Sequence, residues 1–515
     1  MTDPRLRVPV WDAAPLERLA LWRARALAVA GSIGLAVYFG WLLQPSRVGN
    51  PMLFGPLVVA ELFNALQALG FWWTCLARRQ ARSRADTSRV DVSRVTVDVF
   101  IPTYNEPVEV VAPVVAAARR LVGARVRVAL LDDGNRDEMA ALAHRHGVGY
   151  VRRTVHSGAK AGNINHALTL TNGQFVVVLD CDHVPHPDLL TATLPQFVDL
   201  AVAYVQTPQY YANAAAGAVQ AASWSQQALF FGPIARGKDA HDAMFCCGTN
   251  VVFRRDALEA VGGFPQESVT EDFELSVELH ERGWRSRYVP TVLASGLGPE
   301  DHASYVSQQL RWARGCVGAI GRVLHARLPL RTKLQYLLSA GYFLSGWTVL
   351  VYLSLPVVRL TTGEQPVAGA AADSFLAVFA PYFALSLATV ASVAGGRYTF
   401  GAYTLAQSTF WIHIYASVAS VLRRRGRFVV TPKQGASGVQ LRPVAPTLLV
   451  IAALLAAAVA GLLGGRDAAT LNNVAFALVH VCILGHGVAA ALLPACVRRT
   501  AIEARDDSLV DELAA

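Results

Sequence analysis

Gln174-Phe175-Val176-Val177-Val178-Leu179-Asp180-Cys181-Asp182 is the stretch whose reading decides the fold. An unbroken apolar run ending in carboxylates is a strand buried on both faces, as in a sheet covered by helices. Two upstream runs repeat the pattern. Val97-Asp98-Val99-Phe100-Ile101-Pro102-Thr103 leads into the turn Tyr104-Asn105-Glu106-Pro107, which opens a helix through Arg120. Arg125-Val126-Arg127-Val128-Ala129-Leu130-Leu131 ends at Asp132. Strands alternating with helices predict a parallel, Rossmann-like α/β domain over residues 96–300. Ligands of such sheets bind beyond the carboxyl ends of the strands, where Asp132 and Asp180 fall.

Outward from this domain the chain turns apolar. Of 515 residues, 53% are hydrophobic and 16% charged, too little charge for a wholly soluble chain of this length. About six membrane spans are predicted, over Leu27–Leu43, Met52–Leu76, Leu334–Val358, Phe375–Val393, Pro446–Leu463 and Asn473–Leu493. The first run lacks a cleavage pattern and reads as a retained span. Arg18, Arg23 and Arg25 precede it, and Arg78, Arg79, Arg82 and Arg84 follow the second. This distribution puts the α/β domain and both termini on the cytoplasmic side of the plasma (inner) membrane. It also explains the net charge of +9 without nucleic acid. Ser304–Leu324 and Tyr403–Leu422 are predicted as interfacial helices, the second also being apolar enough to span. The resulting order is a segment 1–95 with two spans and a linker, then 96–300, the helix region 301–330 and two spans in 331–395. An interfacial helix and loop (396–445), two spans (446–497) and a tail (498–515) complete it. Seven scattered cysteines with no CxxC pair argue against a disulfide framework or a zinc site.

Four short clusters lie in order along the chain. Asp180 and Asp182, at i and i+2 past a buried strand, can share one hard divalent cation and leave positions open for phosphate oxygens. Asp132-Asp133-Gly134 can accept hydrogen bonds from a base or ribose, or simply form an Asx turn. Lys160 offers a cation for a phosphate or for solvent. Thr270-Glu271-Asp272 introduces a helix, either as a dipole-complementing cap or with Asp272 as a general base. Gln308, Arg311 and Trp312 share one helix face, where Arg can hold a pyrophosphate and Trp can stack on a sugar.

Phe245-Cys246-Cys247-Gly248-Thr249-Asn250 and Phe428-Val429-Val430-Thr431-Pro432-Lys433 complete the series. Together these motifs resemble the processive family 2 glycosyltransferases, specifically bacterial cellulose synthase catalytic subunits and their relatives, over nearly the whole chain. The resemblance implies a GT-A-like domain inserted in a multi-pass helical membrane domain. It implies a UDP-sugar-dependent hexosyltransferase that inverts its donor, extends a β-linked polysaccharide such as cellulose from UDP-glucose, and extrudes it across the bilayer. It assigns Thr103, Asn105, Glu106, Asp132, Asp133, Lys160, Asp180, Gln308, Arg311, Thr431 and Lys433 to the nucleotide sugar. Asp180 and Asp182 would hold Mg²⁺ or Mn²⁺, Asp272 would be the catalytic base, and Cys247, Gly248, Glu271 and Trp312 would meet the acceptor. Mannan, chitin and hyaluronan-type synthases share this core, and a non-processive transfer to a lipid is a more distant alternative. Tyr342, Trp347, Tyr352, Tyr382 and Trp411 are candidates to line the polymer's route, and export or accessory proteins are open as partners. With about 20 residues after the last span, a PilZ domain binding cyclic di-GMP is not expected.

Overall fold

The computed structural model describes residues 18–79, 94–267, 270–369, 372–422 and 438–493. The 428–433 segment, with Thr431 and Lys433, and the arginine run 423–427 lie outside the described residues.

Among the described residues of the α/β domain ten strands form: β1 (Thr96–Thr103), β2 (Arg125–Asp132), β3 (Gly149–Arg152), β4 (Phe175–Val178), β5 (Val184–Pro185), β6 (Val202–Gln206), β7 (Tyr210–Tyr211), β8 (Val251–Arg254), β9 (Arg285–Tyr288) and β10 (Ala294–Gly296). Seven make one sheet in the order β3-β2-β1-β4-β8-β6-β9, and β5-β10-β7 make a small second one. Alternation along β1 divides the core. Val97, Val99 and Ile101 pack with Val111, Val114 and Val115 of the helix Val108–Ala118, while Phe100 packs with Val176, Val178 and Phe253 on the other face.

The sheet is mixed, not wholly parallel as the Val-rich runs suggested. β1 pairs in parallel with β2 and β4, whereas β8 runs antiparallel to both β4 and β6. Val251, the first residue of β8, faces Val178 at the end of β4. The chain entering β8, Cys246–Asn250, therefore arrives at the same sheet edge as Asp180. Reversal of one short strand is what delivers this loop to the carboxyl ends of the others.

At the opposite edge Asp98, 1% exposed, is held by three donors. Arg255 Nη2 donates at 2.8 Å, Arg127 Nε at 3.0 Å and the Gly173 amide at 2.6 Å. A buried carboxylate is tolerated there because each oxygen is paired.

Among the described residues five helices are long and apolar enough to cross a membrane: Leu19–Leu42, Pro51–Leu76, Asp373–Ala394, Leu441–Gly464 and Ala468–Leu492. The predicted span 334–358 is instead a bent pair, Leu330–Tyr342 and Ser345–Thr362, meeting at 45°; counting it as one span gives six. The expected Tyr403–Leu422 helix breaks at Thr409 into Phe400–Ser408 and Phe410–Val421, each too short to cross. The Ser304–Leu324 helix divides into His302–Gly318 and Ile320–His325. Its first part starts on a capping box, with Asp301 and Ser304 exchanging hydrogen bonds.

The domain rests directly on these helices. A Cβ on Gly237 would lie 1.8 Å from the Thr74 carbonyl oxygen, so the helix Ala235–Ala240 touches the end of Pro51–Leu76 backbone to backbone. Beside that contact Lys238 Nζ donates to the Gln335 carbonyl at 2.8 Å, and Gln335 Nε2 donates to Thr74 Oγ1 at 2.9 Å.

Candidate active site

A cavity of about 430 Å³ opens at the carboxyl ends of β1 and β4. Thr103, Glu106, Asp133, Lys160, Asp180, Asp182, Cys247, Gly248, Glu271, Asp272, Gln308, Arg311 and Trp312 all line it. Residues separated by more than 200 positions thus converge as their sequence order suggested.

Among the described residues, two of those expected do not line it. Asp132 is fully buried and its carboxylate is used by the turn itself. Oδ1 accepts from the Gly134 amide at 2.9 Å, and Oδ2 accepts from the Arg136 amide at 2.6 Å and the Tyr150 hydroxyl at 2.9 Å. This is the Asx-turn alternative. Asn105 is an exposed turn residue that is not part of the cavity lining. Asp133 takes the cavity position instead. Arg153 clamps it through Nε at 2.5 Å and Nη2 at 2.6 Å, and His156 Nδ1 lies 3.0 Å away. Burial would raise the Asp133 carboxyl, but Arg153 and His156 hold it below the usual range. Glu106 organises the first turn by accepting from Thr103 Oγ1 at 2.9 Å and the Tyr104 amide at 2.8 Å.

Lys160 joins the two halves of the cavity. Its ammonium pairs with Asp180 Oδ1 and donates to the Gly248 carbonyl at 2.8 Å. Burial opposes its charge, yet Asp180, Glu271 and Asp272 more than compensate and hold it protonated, above the ordinary lysine value.

Glu271 and Asp272 open the helix Glu271–Glu281. Asp272 Oδ1 accepts from the Phe273 amide at 2.8 Å. A Cβ on Gly248 would lie 3.0 Å from Oδ2, so the loop passes against the other oxygen. Gly248 has φ +80°, a left-handed conformation in which glycine alone is unstrained. Burial raises the Asp272 carboxyl despite the neighbouring Lys160 and Arg311 cations. Burial and the Asp272 charge push Glu271 up to about 7. Two adjacent carboxyls therefore ionise in separate steps. A Cβ on Gly315 would lie 2.1 Å from Thr270 Cγ2. The helix carrying Gln308, Arg311 and Trp312 is thereby docked against the turn that presents Asp272.

The acidic pair has a third member that the reading of the sequence passed over. Asp180, Asp182 and His183 each present a ligand atom, all within 4.8 Å of one another. His183 is 4% exposed, its Nδ1 lies 3.2 Å from Asp182 Oδ1, and its Nε2 is buried with no hydrogen-bond partner among the described residues. Carboxylate oxygens with one imidazole suit Mn²⁺ or Mg²⁺ better than a soft metal. The signal was the histidine directly after the D-x-D.

An α/β sheet with a strand-end acidic pair, seated on membrane-type helices, defines a membrane protein with a GT-A-like domain. Residues 94–315 match the family described as Glycosyltransferase like family 2, and residues 259–394 match that described as Cellulose synthase. The chain is 35% identical over 358 residues to cellulose synthase 1 catalytic subunit (UDP-forming) of Komagataeibacter xylinus, covering 66% of this chain and 47% of that one. It is 32% identical over 431 residues to cellulose synthase 2 of Novacetimonas hansenii, covering 79% and 26% respectively. Among solved structures it resembles a mannosyltransferase from Pyrobaculum calidifontis in complex with GDP-Man and Mn²⁺. The TM-score is 0.53 at 18% identity, over 72% of this chain and 99% of that one, a likeness of fold. The chain is thus similar to the family 2 glycosyltransferases, in their cellulose synthase-like branch. It spans less than half the length of these curated relatives.

Proposed function

We propose that the chain is a processive, inverting hexosyltransferase that moves glucose from UDP-glucose to the end of a growing β-linked glucan and passes the product across the inner membrane. The observation that carries this is the contiguity of Asp180, Lys160, Gly248 and Asp272 in one cavity, with Arg311 and Trp312 on the wall. A site for a diphosphate lies on one side of Lys160 and a site for an acceptor hydroxyl on the other.

Asp180, Asp182 and His183 would hold Mg²⁺ or Mn²⁺, which when bound supplies neutralising charge to a departing nucleoside diphosphate. Lys160 and Arg311 add fixed cations on the same side. Thr103, Glu106 and Asp133 form the wall for the nucleoside. Thr431 and Lys433 are assigned to closure over it. Asp272 takes the proton from the attacking hydroxyl on Oδ2, since Oδ1 is engaged by the Phe273 amide. Burial supports that role by making its carboxylate more basic. Trp312 gives the terminal sugar a flat surface, and Cys247, Gly248 and Glu271 edge the acceptor position. The catalytic domain and both termini lie on the cytoplasmic side. Tyr342, Trp347, Tyr352, Tyr382 and Trp411 lie on helices outside the α/β domain and are assigned to the polymer's route, the first two being exposed.

The test is product analysis. Membranes containing the protein are incubated with Mn²⁺ and a panel of UDP-sugars, and the products are digested with linkage-specific hydrolases. A β-glucan made from UDP-glucose supports the proposal. Polymer from UDP-GlcNAc alone reassigns the substrate, and singly glycosylated lipid alone removes processivity.

A further inference from the structure

Two glutamines that no motif contains hold the segment entering β8. Gln206, at the end of β6 and fully buried, accepts from the Cys247 amide through Oε1 at 2.9 Å. Its Nε2 donates to the carbonyls of Thr207 and Thr249, each at 2.8 Å. Gln209, three residues on, donates from Nε2 to the Cys247 carbonyl at 2.8 Å. Cys247 thus has both its peptide N–H and its C=O fixed by side chains from one neighbouring loop. The two peptide planes that flank its Cα are thus held by one glutamine each.

The two glutamines differ in their second oxygen or nitrogen. Gln206 is wholly committed to backbone. Gln209 lines the cavity together with Tyr211 and Trp312, and its Oε1 carries no hydrogen-bond partner among the described residues. Its amide orientation is set by chemistry, because a carbonyl can face only the NH₂ end. The free oxygen consequently faces away from Cys247. A half-buried amide oxygen in a polar cavity is a ready acceptor for a hydroxyl.

We propose that Gln209 is a positioning residue for the acceptor. Nε2 sets the Cys247–Gly248 rim, and Oε1 receives a hydroxyl of the terminal sugar, placing the attacking oxygen toward Asp272. The proposal rests on the reading of Cys247 and Gly248 as the acceptor side of a sugar-transfer site. A misplaced acceptor leaves donor binding intact but lets water compete for the donor, so the diagnostic quantity is UDP released per sugar incorporated.

The experiment compares wild type, Gln209→Leu and Gln209→Glu as full-length protein in membranes with UDP-glucose and Mn²⁺. UDP release and radiolabelled polymer are measured in parallel, with UDP affinity and thermal midpoint as controls. Gln209→Glu keeps the accepting oxygen but cannot donate to Cys247. Both variants are expected to raise the ratio of UDP released to sugar incorporated by about fivefold or more, the scale of one lost hydrogen bond. UDP affinity and thermal midpoint are expected to stay at wild-type values. A wild-type ratio in Gln209→Leu, with wild type polymerising normally, overturns this inference and leaves the transfer reading standing. Absence of incorporation by wild type from any UDP-sugar overturns the transfer reading, and the role of Gln209 with it.

Discussion

Replacing Gly248 by alanine tests the geometry around the proposed base. Two costs arise. The backbone is at φ +80°, where a non-glycine residue pays about 1–2 kcal/mol. The new Cβ would also sit 3.0 Å from Asp272 Oδ2, closer than ordinary van der Waals contact, so the carboxylate or the loop must give by several tenths of an ångström. Gly262 is the matched control. It has the same φ of +80°, but a Cβ there meets nothing within 4 Å. Gly262→Ala therefore carries the backbone cost alone. Both variants should lose thermal stability by a few degrees, consistent with about 1–2 kcal/mol. Only Gly248→Ala should lose turnover, by roughly tenfold to a hundredfold, since a misplacement near 1 Å costs about a hundredfold in such sites. The assays are initial-rate incorporation of labelled sugar, UDP binding by calorimetry, and a thermal melt in detergent. Equal turnover in the two glycine variants would refute the claim that the loop's approach to Asp272 matters. Loss of UDP binding in Gly248→Ala would shift the defect to the donor side.

Asp272→Asn should lower incorporation by about a hundredfold to ten-thousandfold while UDP binding is retained; full activity in this variant would remove Asp272 from the base role. The Glu271–Asp272 pair, with Glu271 raised to about 7, places an inflection near that value in the pH profile. Glu271→Gln should erase it and leave the lower limb set by Asp272. Because the folded chain keeps the Glu271 proton above the ordinary 4.5, that group's contribution to stability declines as pH rises from about 4.5 to about 7. Melting temperature over that window should fall less in Glu271→Gln than in wild type. Asp98→Ala strands Arg255 in the core and should destabilise the domain by about 3–5 kcal/mol, read by thermal melting. His183→Ala should weaken Mn²⁺ binding, followed by the metal's paramagnetic effect on water relaxation, with the melting profile preserved.

What could be read in the chain and what could not divides along sequence distance. Asp180, Lys160 and Asp272 stand at strand or helix ends, where local pattern already places them, and Arg311 shares one helix with Gln308 and Trp312 at a spacing the pattern also shows. Asp132 is held by amides two and four residues ahead and by the Tyr150 hydroxyl, so its carboxylate is engaged in its own turn, which the strand-end pattern alone does not distinguish from a cavity position. The mixed sheet was hidden because β8 is only four residues long and apolar like its parallel neighbours. Hydropathy stays high through Phe343 and Leu344, so the bend between Leu330–Tyr342 and Ser345–Thr362 left no mark in the pattern. Gln209 was unreadable for the same reason as most long-range contacts. Its partner, Cys247, lies 38 residues away and is a backbone atom.

The contact of Gly237 with the Thr74 carbonyl bears on how such a protein can be handled. Phe273, Val277, Ala319, Val323 and Tyr336 form one apolar cluster built jointly from the α/β domain, the helix Ile320–His325 with its cap, and the first helix of the bent pair. Cutting the chain between domain and membrane would uncover that cluster and strand Lys238 without the Gln335 oxygens it donates to. A water-soluble catalytic fragment should therefore aggregate rather than work, whatever its linker. The second span meets Gly237 backbone to backbone, and Lys238 beside it lies over the ring of Phe245, two residues before Cys247, so the membrane helix and the cavity rim are joined by a short chain of contacts.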